Sequence, residues 1–366
     1  MKHFLLIFLL TSWSCIMFGQ NQDSWTAFFA NDSIRIGYKD QQGVVKIEPK
    51  FIGYSYAYKF DNIIAVSEEV GESWKNYYLT KEGRSVGVDS LYIFDNGSDC
   101  ESEGFIRFRD SKTDQAGMFN SKGDIAIPAV YSDLTRVRNG MIIGLKGAEK
   151  KYWSAEDHTG CNHFSWSGGQ EVLLDTLNHV LVENFSYDHA LNFYSLEKTK
   201  NPPTDTNRKV FLGQDGWYYS FMDFETEFKQ WLINDLFVDL TEEKLIQGSY
   251  DTLIWESTEG WAKADKETFI HTNFPVLKKE LLAIVQPNCD YFISKDGLNP
   301  FLFEGDEFDS YFNGCREAKD WLYPTMTIVV SHQDKKEFTQ NHFEFLRTDE
   351  GYKLISVTIR NEQVKG

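Results

Sequence analysis

The sequence is short of basic charge and proline, and each shortage excludes a class of protein. Its 366 residues hold 37 Lys and Arg against 55 Asp and Glu, a formal net charge of −18, with no dense basic run. This balance repels phosphate backbones, so we expect no nucleic-acid partner. Only 8 prolines accompany 29 Phe, 18 Tyr and 10 Trp, a composition that forms cores and excludes general disorder.

The short motifs that specify a reaction are also missing. The sequence has no Gly-x-Ser-x-Gly elbow, His-Glu-x-x-His helix, phosphate-binding loop or dinucleotide fingerprint. His158, Cys161 and His163 are close in sequence, but their spacing matches no zinc pattern, and we interpret them as part of a turn. The acidic stretch 304–309 lacks the calcium-loop pattern. We therefore expect no metal and no cofactor.

The N-terminal segment, residues 1–20, has the layout of a secretory signal peptide. Lys2 and His3 give a positive flank, residues 4–10 are an uninterrupted apolar run, and a polar stretch follows Gly19. No later segment reaches the roughly 20 apolar residues of a membrane-spanning helix. We predict cleavage directly after or one residue beyond this glycine, and a mature protein that is periplasmic, at the cell surface or secreted.

Cysteine is scarce, and its distribution fits export. Cleavage would remove Cys15, whose lipid modification stays open, and leave Cys100, Cys161, Cys289 and Cys315. An even number in an oxidising compartment suggests pairing, and four cysteines allow three connectivities. The domain boundary argued below favours Cys100 with Cys161 and Cys289 with Cys315. Four buried free thiols are the alternative.

Internal repetition is the most informative feature that is present. Gly43, Gly83 and Gly123 are forty residues apart, and each closes a short polar turn. A second strand signal, rich in apolar side chains, follows in each unit at 63–66, 105–108, 141–143 and 180–182. The period predicts tandem β-hairpins, with a fourth unit that turns at Gly160.

The segments Ile47–Phe51 and Ile127–Tyr131 resemble the middle section of the WG-repeat family, an Ile-Pro-containing strand followed by an aromatic residue. The resemblance covers about residues 33–185, although Ile36-Gly37, Asn76-Tyr77 and Ala116-Gly117 replace the Trp-Gly pair. It implies a β-rich repeat scaffold that acts as an interaction module and supplies no catalytic residues.

A change of pattern predicts a second domain. Residues 198–207 contain a double proline and no other apolar side chain, so we predict a linker there, between domains at 22–197 and 208–366. Beyond it, three-and-four spacing predicts a helix over 221–236, Thr241 is a candidate N-cap, and 276–285 is a further helix.

Alternating strands and a hairpin turn at Asp349–Gly351 end the chain. Helices followed by antiparallel strands resemble the small cystatin-like and NTF2-like domains. The expected fold class is α+β overall: an all-β tandem hairpin array, then a smaller α+β domain whose helices pack on an antiparallel sheet.

Large aromatic residues mark the candidate binding site of the second domain. Trp217, Tyr218, Trp255 and Trp261 are the residues we expect to line a pocket for a sugar or peptide. Glu256 and Glu259, which lie between the last two tryptophans, are the first carboxylate pair to consider for glycoside hydrolysis, although an exposed turn explains them better.

These observations favour binding over catalysis. We expect an exported, non-catalytic interaction protein whose partner is another protein or a cell-envelope glycan. Two alternatives stay open: a secreted or periplasmic hydrolase that acts on carbohydrate or peptide, and a structural spacer at the cell envelope. The ligand and the oligomeric state are beyond the sequence.

Overall fold

The computed structural model describes residues 24–31, 34–53, 56–94, 97–152, 164–186, 190–333, 338–361 and 364. The predicted signal peptide, Cys15, Gly160 and the group His158, Cys161 and His163 lie outside the described residues. The protein is strand-rich, with 50% strand and 14% helix, so the expectation of a β-dominated chain with few helices is confirmed. None of the described helices combines the length and apolar character that crossing a membrane requires.

The chain begins with a seven-stranded antiparallel sheet. Its spatial order is β4-β1-β2-β3-β5-β6-β7. The strands are β1 Trp25–Phe29, β2 Ile36–Lys39, β3 Val45–Phe51, β4 Lys59–Phe60, β5 Ile63–Val70, β6 Ser73–Thr80 and β7 Ser85–Val86.

Smaller antiparallel sheets follow, and in one of them a hairpin separates two paired strands, β14 and β17, along the chain. They are the hairpins β8-β9 and β15-β16, the three-stranded sheet β10-β11-β12 and the four-stranded sheet β13-β14-β17-β18. The strands are β8 Ile93–Phe94, β9 Gly97–Ser98, β10 Phe105–Arg109, β11 Ala116–Asn120, β12 Ile125–Tyr131, β13 Asp133–Leu134, β14 Met141–Lys146, β15 Glu149–Tyr152, β16 Phe164–Ser167, β17 Gln170–Asp175 and β18 Val180–Val182.

One turn geometry recurs five times in this part of the chain. The first residue donates its N–H to the carbonyl four residues later and accepts from the N–H three residues later, at Asp40–Val44, Thr80–Arg84, Asn120–Asp124, Asp175–His179 and Gly213–Trp217. The fourth residue of each turn has positive φ, which favours glycine or asparagine. These residues are Gly43, Gly83, Gly123, Asn178 and Gly216, with φ of 81°, 86°, 76°, 66° and 76°.

The first and third turns also share strand register. Ile36 pairs with Phe51 and Tyr38 with Ile47, while Ala116 pairs with Tyr131 and Met118 with Ile127. Gly37 and Gly117, which lie between the paired positions, let the two strands of each pair approach closely, because glycine has no Cβ. A Cβ at Gly37 would lie 2.5 Å from the Ile47 carbonyl oxygen, and one at Gly117 would lie 2.8 Å from that of Ile127.

The segment predicted as a linker, 198–207, connects strands of a single sheet. Its order is β19-β21-β20, formed by β19 Leu191–Thr199, β20 Arg208–Leu212 and β21 Tyr218–Asp223. Phe221 of this sheet packs with Met141 and Leu173 in one buried cluster. A domain boundary at 198–207 would therefore separate hydrogen-bonded strands, and the last recurrent turn, 213–217, lies beyond it.

The chain ends in a curled six-stranded sheet with helices on one face. The strand order is β23-β22-β27-β26-β25-β24, antiparallel except for the parallel pair β22-β27. The elements are α1 Phe224–Trp231, a π-helical turn Leu232–Leu236, α2 Glu242–Gln247, β22 Ser249–Ser257, β23 Gly260–Asp265, α3 Lys266–Ala283, β24 Asp290–Asp296, a 3-10 turn Asp306–Tyr311, β25 Thr325–Gln333, β26 Phe338–Thr348 and β27 Gly351–Thr358.

The helix predictions hold in position but not in length. Thr241 caps α2, where its hydroxyl accepts from the Lys244 N–H at 3.2 Å. The helix predicted over 276–285 begins ten residues earlier, because Asp265 accepts from the first backbone N–H groups and Pro275 is accommodated inside the helix. Buried Phe228 of α1 and Leu277 of α3 belong to the same hydrophobic cluster as Phe343 of the sheet. This cluster has more members than any other among the described residues.

The disulfide pairing predicted from the sequence is wrong. Cys100 bonds to Cys315, with their Cα atoms 6.1 Å apart, so neither Cys289 with Cys315 nor Cys100 with Cys161 forms. Cys289 is a half-buried free thiol whose pKa is raised by burial. The prediction assumed that each bond stays within one domain, whereas the loop around Cys315 folds back onto the first sheet, where the Lys59 N–H donates to Gly314 at 2.9 Å.

Candidate functional site

A cleft of about 1190 Å³ lies beside this disulfide. The β8-β9 hairpin and β10 form one side, and the turn from Asp133 to Arg138 forms a second. The turn between β16 and β17 and the loop from Glu317 to Trp321 complete it. The cleft is thus assembled from several hairpins of the first part of the chain and one loop from its last third.

A buried carboxylate between two arginines forms the floor of the cleft. Asp99, whose side chain is 0% exposed, accepts from Arg107 Nη2 at 2.6 Å and Nε at 3.0 Å, and from Arg136 Nε at 2.8 Å. Burial alone would raise the pKa of Asp99, but the two guanidinium groups outweigh burial and hold this pKa well below its usual range. All three side chains therefore stay charged near neutral pH.

The same network joins the two distant parts of the chain. Arg136 also donates to both carboxylate oxygens of Glu317, at 3.2 Å to Oε1. Asp99 directly precedes Cys100, and Glu317 follows Cys315 by two residues. The disulfide and the Asp99–Arg136–Glu317 ion-pair network thus attach the loop that contains Cys315 and Glu317 to the part of the cleft around Asp99.

A second carboxylate, Asp133, holds the aromatic residues of the cleft. It accepts from the Tyr92 hydroxyl at 2.7 Å and from Trp166 Nε1 at 3.0 Å, and Arg109 lies at 3.3 Å. The Arg107 guanidinium is stacked 4.0 Å from the centre of the Tyr92 ring. Burial raises the pKa of Tyr92 to about 12, so its hydroxyl stays protonated.

Arg138 differs from the other two arginines of the cleft. Its Nε–H is buried without a hydrogen-bond partner among the described residues, and its guanidinium lies 5.4 Å from the centre of the Trp321 ring. The turn that carries it is clamped by Glu103, which accepts from the N–H groups of Asn139 at 2.6 Å and Gly140 at 2.8 Å. Arg138 is thus held in place by its backbone rather than by a carboxylate.

The structure does not gather the four predicted binding residues. Trp217 and Tyr218 lie at the start of β21, where Lys198 is stacked on the Trp217 ring. Trp255 packs on Phe269 of α3, whereas Trp261 of β23 is 54% exposed on the opposite sheet face. None of the four lines the cleft of about 1190 Å³. Their proposed binding role stays a prediction.

Neither carboxylate of the pair considered for hydrolysis, Glu256 and Glu259, lines the cleft. Glu256 is bonded to Arg360, with Oε2 2.9 Å from Nη2, and Glu259 lies exposed in the turn between β22 and β23. Among the described residues, no group of three or more His, Cys, Asp or Glu side chains is arranged to hold a metal ion.

A smaller cavity of about 400 Å³ is lined by both cysteines of the disulfide, together with Tyr58, Glu101 and Phe301. On the six-stranded sheet, Glu344 lies on the face opposite the helices, because its neighbours Phe343 and Phe345 pack against them. Burial raises the pKa of Glu344 to about 7.

No family model matches the chain, and neither a curated protein nor a solved structure is significantly similar to it. The chemistry of the cleft therefore carries the functional argument.

Sequence patterns gave little indication of the cleft residues. Asp99, Arg107, Arg136 and Glu317 are scattered over more than two hundred residues and belong to no motif. A usable signal was the cluster Arg136-Val137-Arg138 in an acidic chain, directly before the Asn139-Gly140 turn. A paired basic motif at a tight turn indicates side chains placed by the backbone.

Proposed function

We propose that the protein is an exported, non-catalytic binding protein and that its ligand occupies the cleft of about 1190 Å³. The observation that carries this proposal is the fixed charge of the cleft. Asp99 has a lowered pKa, while the pKa values of Arg107 and Arg136 are raised despite burial, because the opposite charges face each other.

Fixed charges suit recognition and oppose proton transfer. A general acid or base needs a pKa near the working pH, so that it can release and regain a proton. Asp99, Arg107, Arg136 and Tyr92 all have pKa values shifted away from neutrality. A preorganised, permanently charged wall lowers the entropic cost of binding a ligand, since few side chains must be ordered on association.

The fold supports the same proposal. We infer that the recurrent turns between Asp40 and Trp217 belong to a WG-like repeat scaffold, followed by an α+β unit similar to cystatin-like or NTF2-like domains. Repeat scaffolds bury their strands through neighbour contacts and expose loops along an extended surface, which suits a large partner. The partner class we propose is a cell-envelope glycan or another exported protein.

Export is supported by the N-terminal layout together with the disulfide. A bond between Cys100 and Cys315 persists in oxidising compartments and is rare in a reducing cytosol. The acidic balance of the chain adds that a polyanion such as nucleic acid is an unfavourable partner.

The test compares two tryptophan variants. Trp166→Ala removes an aromatic face from the cleft, and Trp261→Ala removes one from the exposed face of β23, where the sequence placed the site. The purified mature protein is screened on an array of envelope glycans and peptides, and its hits are titrated by calorimetry. We expect affinity to fall about tenfold in Trp166→Ala and to be unchanged in Trp261→Ala.

Three outcomes would contradict the proposal. The reverse pattern would move the site to the predicted aromatic group on β21 to β23. Turnover of a glycan or peptide, followed by chromatography and abolished by Glu344→Gln, would establish the hydrolase alternative. The structural-spacer alternative would be favoured if the mature protein binds nothing on the array but can be crosslinked to components on both sides of the cell envelope.

A further inference from the structure

The cleft contains one arginine, Arg138, that has no ion-pair partner among the described residues. Arg107 and Arg136 share Asp99, and Arg136 also contacts Glu317, so both are fully engaged. Arg138 lines the same cleft, forms no ion pair with a described residue, and has a buried Nε–H without a hydrogen-bond partner there. A guanidinium without a counter-ion that lines a cavity is left to pair with a ligand, so an anionic group that binds it forms a charge-assisted hydrogen bond.

The geometry around Arg138 defines what such a ligand offers. A guanidinium presents a planar fork of donors, which matches a carboxylate in a bidentate contact. Trp321 lies against one side of the fork, so the anionic group approaches in the plane of the guanidinium, beside an aromatic surface. The site therefore fits a carboxylate attached to a body that packs against rings.

The strands around the cleft favour a saccharide over an extended peptide. Peptides commonly add a strand to a long exposed sheet edge. The edges here are short, with two residues each in Ile93–Phe94, Gly97–Ser98 and Asp133–Leu134, and four in Phe164–Ser167. Recognition must then rely on side chains, and those present are aromatic rings and polar acceptors, such as the exposed Phe94 ring and the Asp133 carboxylate.

We propose that the cleft binds a saccharide that carries a carboxylate group and that Arg138 binds this carboxylate beside Trp321. This inference rests on the proposed binding function and names its ligand class. The net charge of −18 opposes a dense polyanion but not a glycan with isolated carboxylates. At physiological ionic strength the Debye length is about 8 Å, so charges of the chain that lie farther away are largely screened at this site.

The experiment uses a matched pair of probes. One is a hexasaccharide in which glucuronic acid alternates with a neutral sugar, and the other is the methyl ester of its carboxyl groups, which has the same rings without charge. Both are titrated by calorimetry against the mature protein, alongside an array of other carboxylated glycans with their methyl esters and an acidic peptide. We expect the free acids to bind at least about tenfold more tightly than the esters.

Variants then assign that preference to one residue. Arg138→Gln should abolish the difference between acid and ester, and an unchanged thermal unfolding curve and circular dichroism spectrum show that the variant is folded. Arg138→Lys should restore part of the difference, because it keeps the charge but loses the fork. The control is Arg316→Gln, which removes an exposed arginine that is stacked on the Tyr58 ring outside this cleft.

Each remaining outcome overturns a defined part of the account. Equal affinity for acids and esters in the wild-type protein, or a preference that persists in Arg138→Gln, overturns the ligand assignment but leaves the binding function standing. Binding of the peptide alone does the same. A protein that binds no probe and no glycan of the array contradicts both proposals.

Discussion

The hairpin region up to Asp223 and the six-stranded sheet differ in which strands they pair and in whether their buried charges have partners. Up to Asp223, sheets form mainly from hairpins, and the buried Asp99 of the cleft is paired with Arg107 and Arg136, so that all three side chains stay ionised. The six-stranded sheet instead pairs distant strands, such as Ser249 with Leu354. It also contains a half-buried carboxylate, Glu344, whose pKa is raised by desolvation to about 7 and which has no basic partner within hydrogen-bonding distance among the described residues.

The comparison shows what each part can do. Paired charges in the hairpin region resist titration and therefore make a permanent recognition surface. The single carboxylate of the sheet makes that part sensitive to pH without making it a binding site. Removing one partner of a pair and removing the lone carboxylate should thus have opposite effects on stability.

The largest expected effect is at Asp99. Asp99→Asn keeps the shape of the side chain but removes the counter-charge that Arg107 and Arg136 share, so that Arg107 has no ion-pair partner among the described residues and Arg136 has only Glu317. We expect the free energy of unfolding to fall by about 3 to 5 kcal/mol, measured by urea denaturation at pH 7. The matched control, Glu82→Gln in an exposed turn, should change it by less than about 0.5 kcal/mol.

The pH dependence of this variant sharpens the test. The folded pKa of Asp99 is lowered, so its stabilising contribution is present above the unfolded pKa of about 3.9 and is lost as the pH falls towards the folded value. The difference between the wild-type protein and Asp99→Asn should therefore be constant from pH 5 to 8 and shrink below about pH 4. A difference that already disappears near pH 6 would contradict the account.

The disulfide is the next test, because it fastens the last third of the chain to the hairpin region. Its cysteines are 215 residues apart, and the chain-entropy model gives long loops the larger stabilisation. The double variant Cys100→Ser, Cys315→Ser should lose about 2 to 5 kcal/mol of unfolding free energy in denaturant titrations. Cys289→Ser is the control. Equal loss in the control would show that Cys289 contributes a bond instead.

The smallest expected effect is at Glu344 and has the opposite sign. Its folded pKa is raised, so the stability it allows is present below the unfolded pKa of about 4.3 and is lost as the pH rises through about 7. Glu344→Gln should therefore be more stable than the wild-type protein at pH 8, by about 1 to 3 kcal/mol, and similar to it at pH 4. Glu259→Gln, in the exposed turn, should show no such trend in thermal unfolding scans.

Local features of the fold were predictable from the sequence, because they depend on single residues. Gly43, Gly83 and Gly123 marked real turns, since positive φ requires glycine there. The next turn was missed because Asn178 takes the position, and asparagine is a weaker signal. The full length of α3 was also detectable, from the buried three-and-four spacing of Phe269, Ile270 and Asn273.

Long-range features were not predictable, because nothing local encodes them. The pairing of Cys100 with Cys315 depends on a loop that folds back across the chain, and the cleft depends on the same loop. The double proline at Pro202-Pro203 indicated a linker, yet it lies in a connection between strands of one sheet, where proline is tolerated outside the ladder.

The most direct test of the central claim is hydrogen–deuterium exchange with and without the tightest-binding glycan of the array. The account predicts protection in peptides that contain residues 97–107, 133–138, 166–171 and 317–321, with no change over 249–265. Protection confined to 249–265 or 217–223, with the cleft peptides unchanged, would contradict it and place the ligand on the aromatic residues predicted from the sequence.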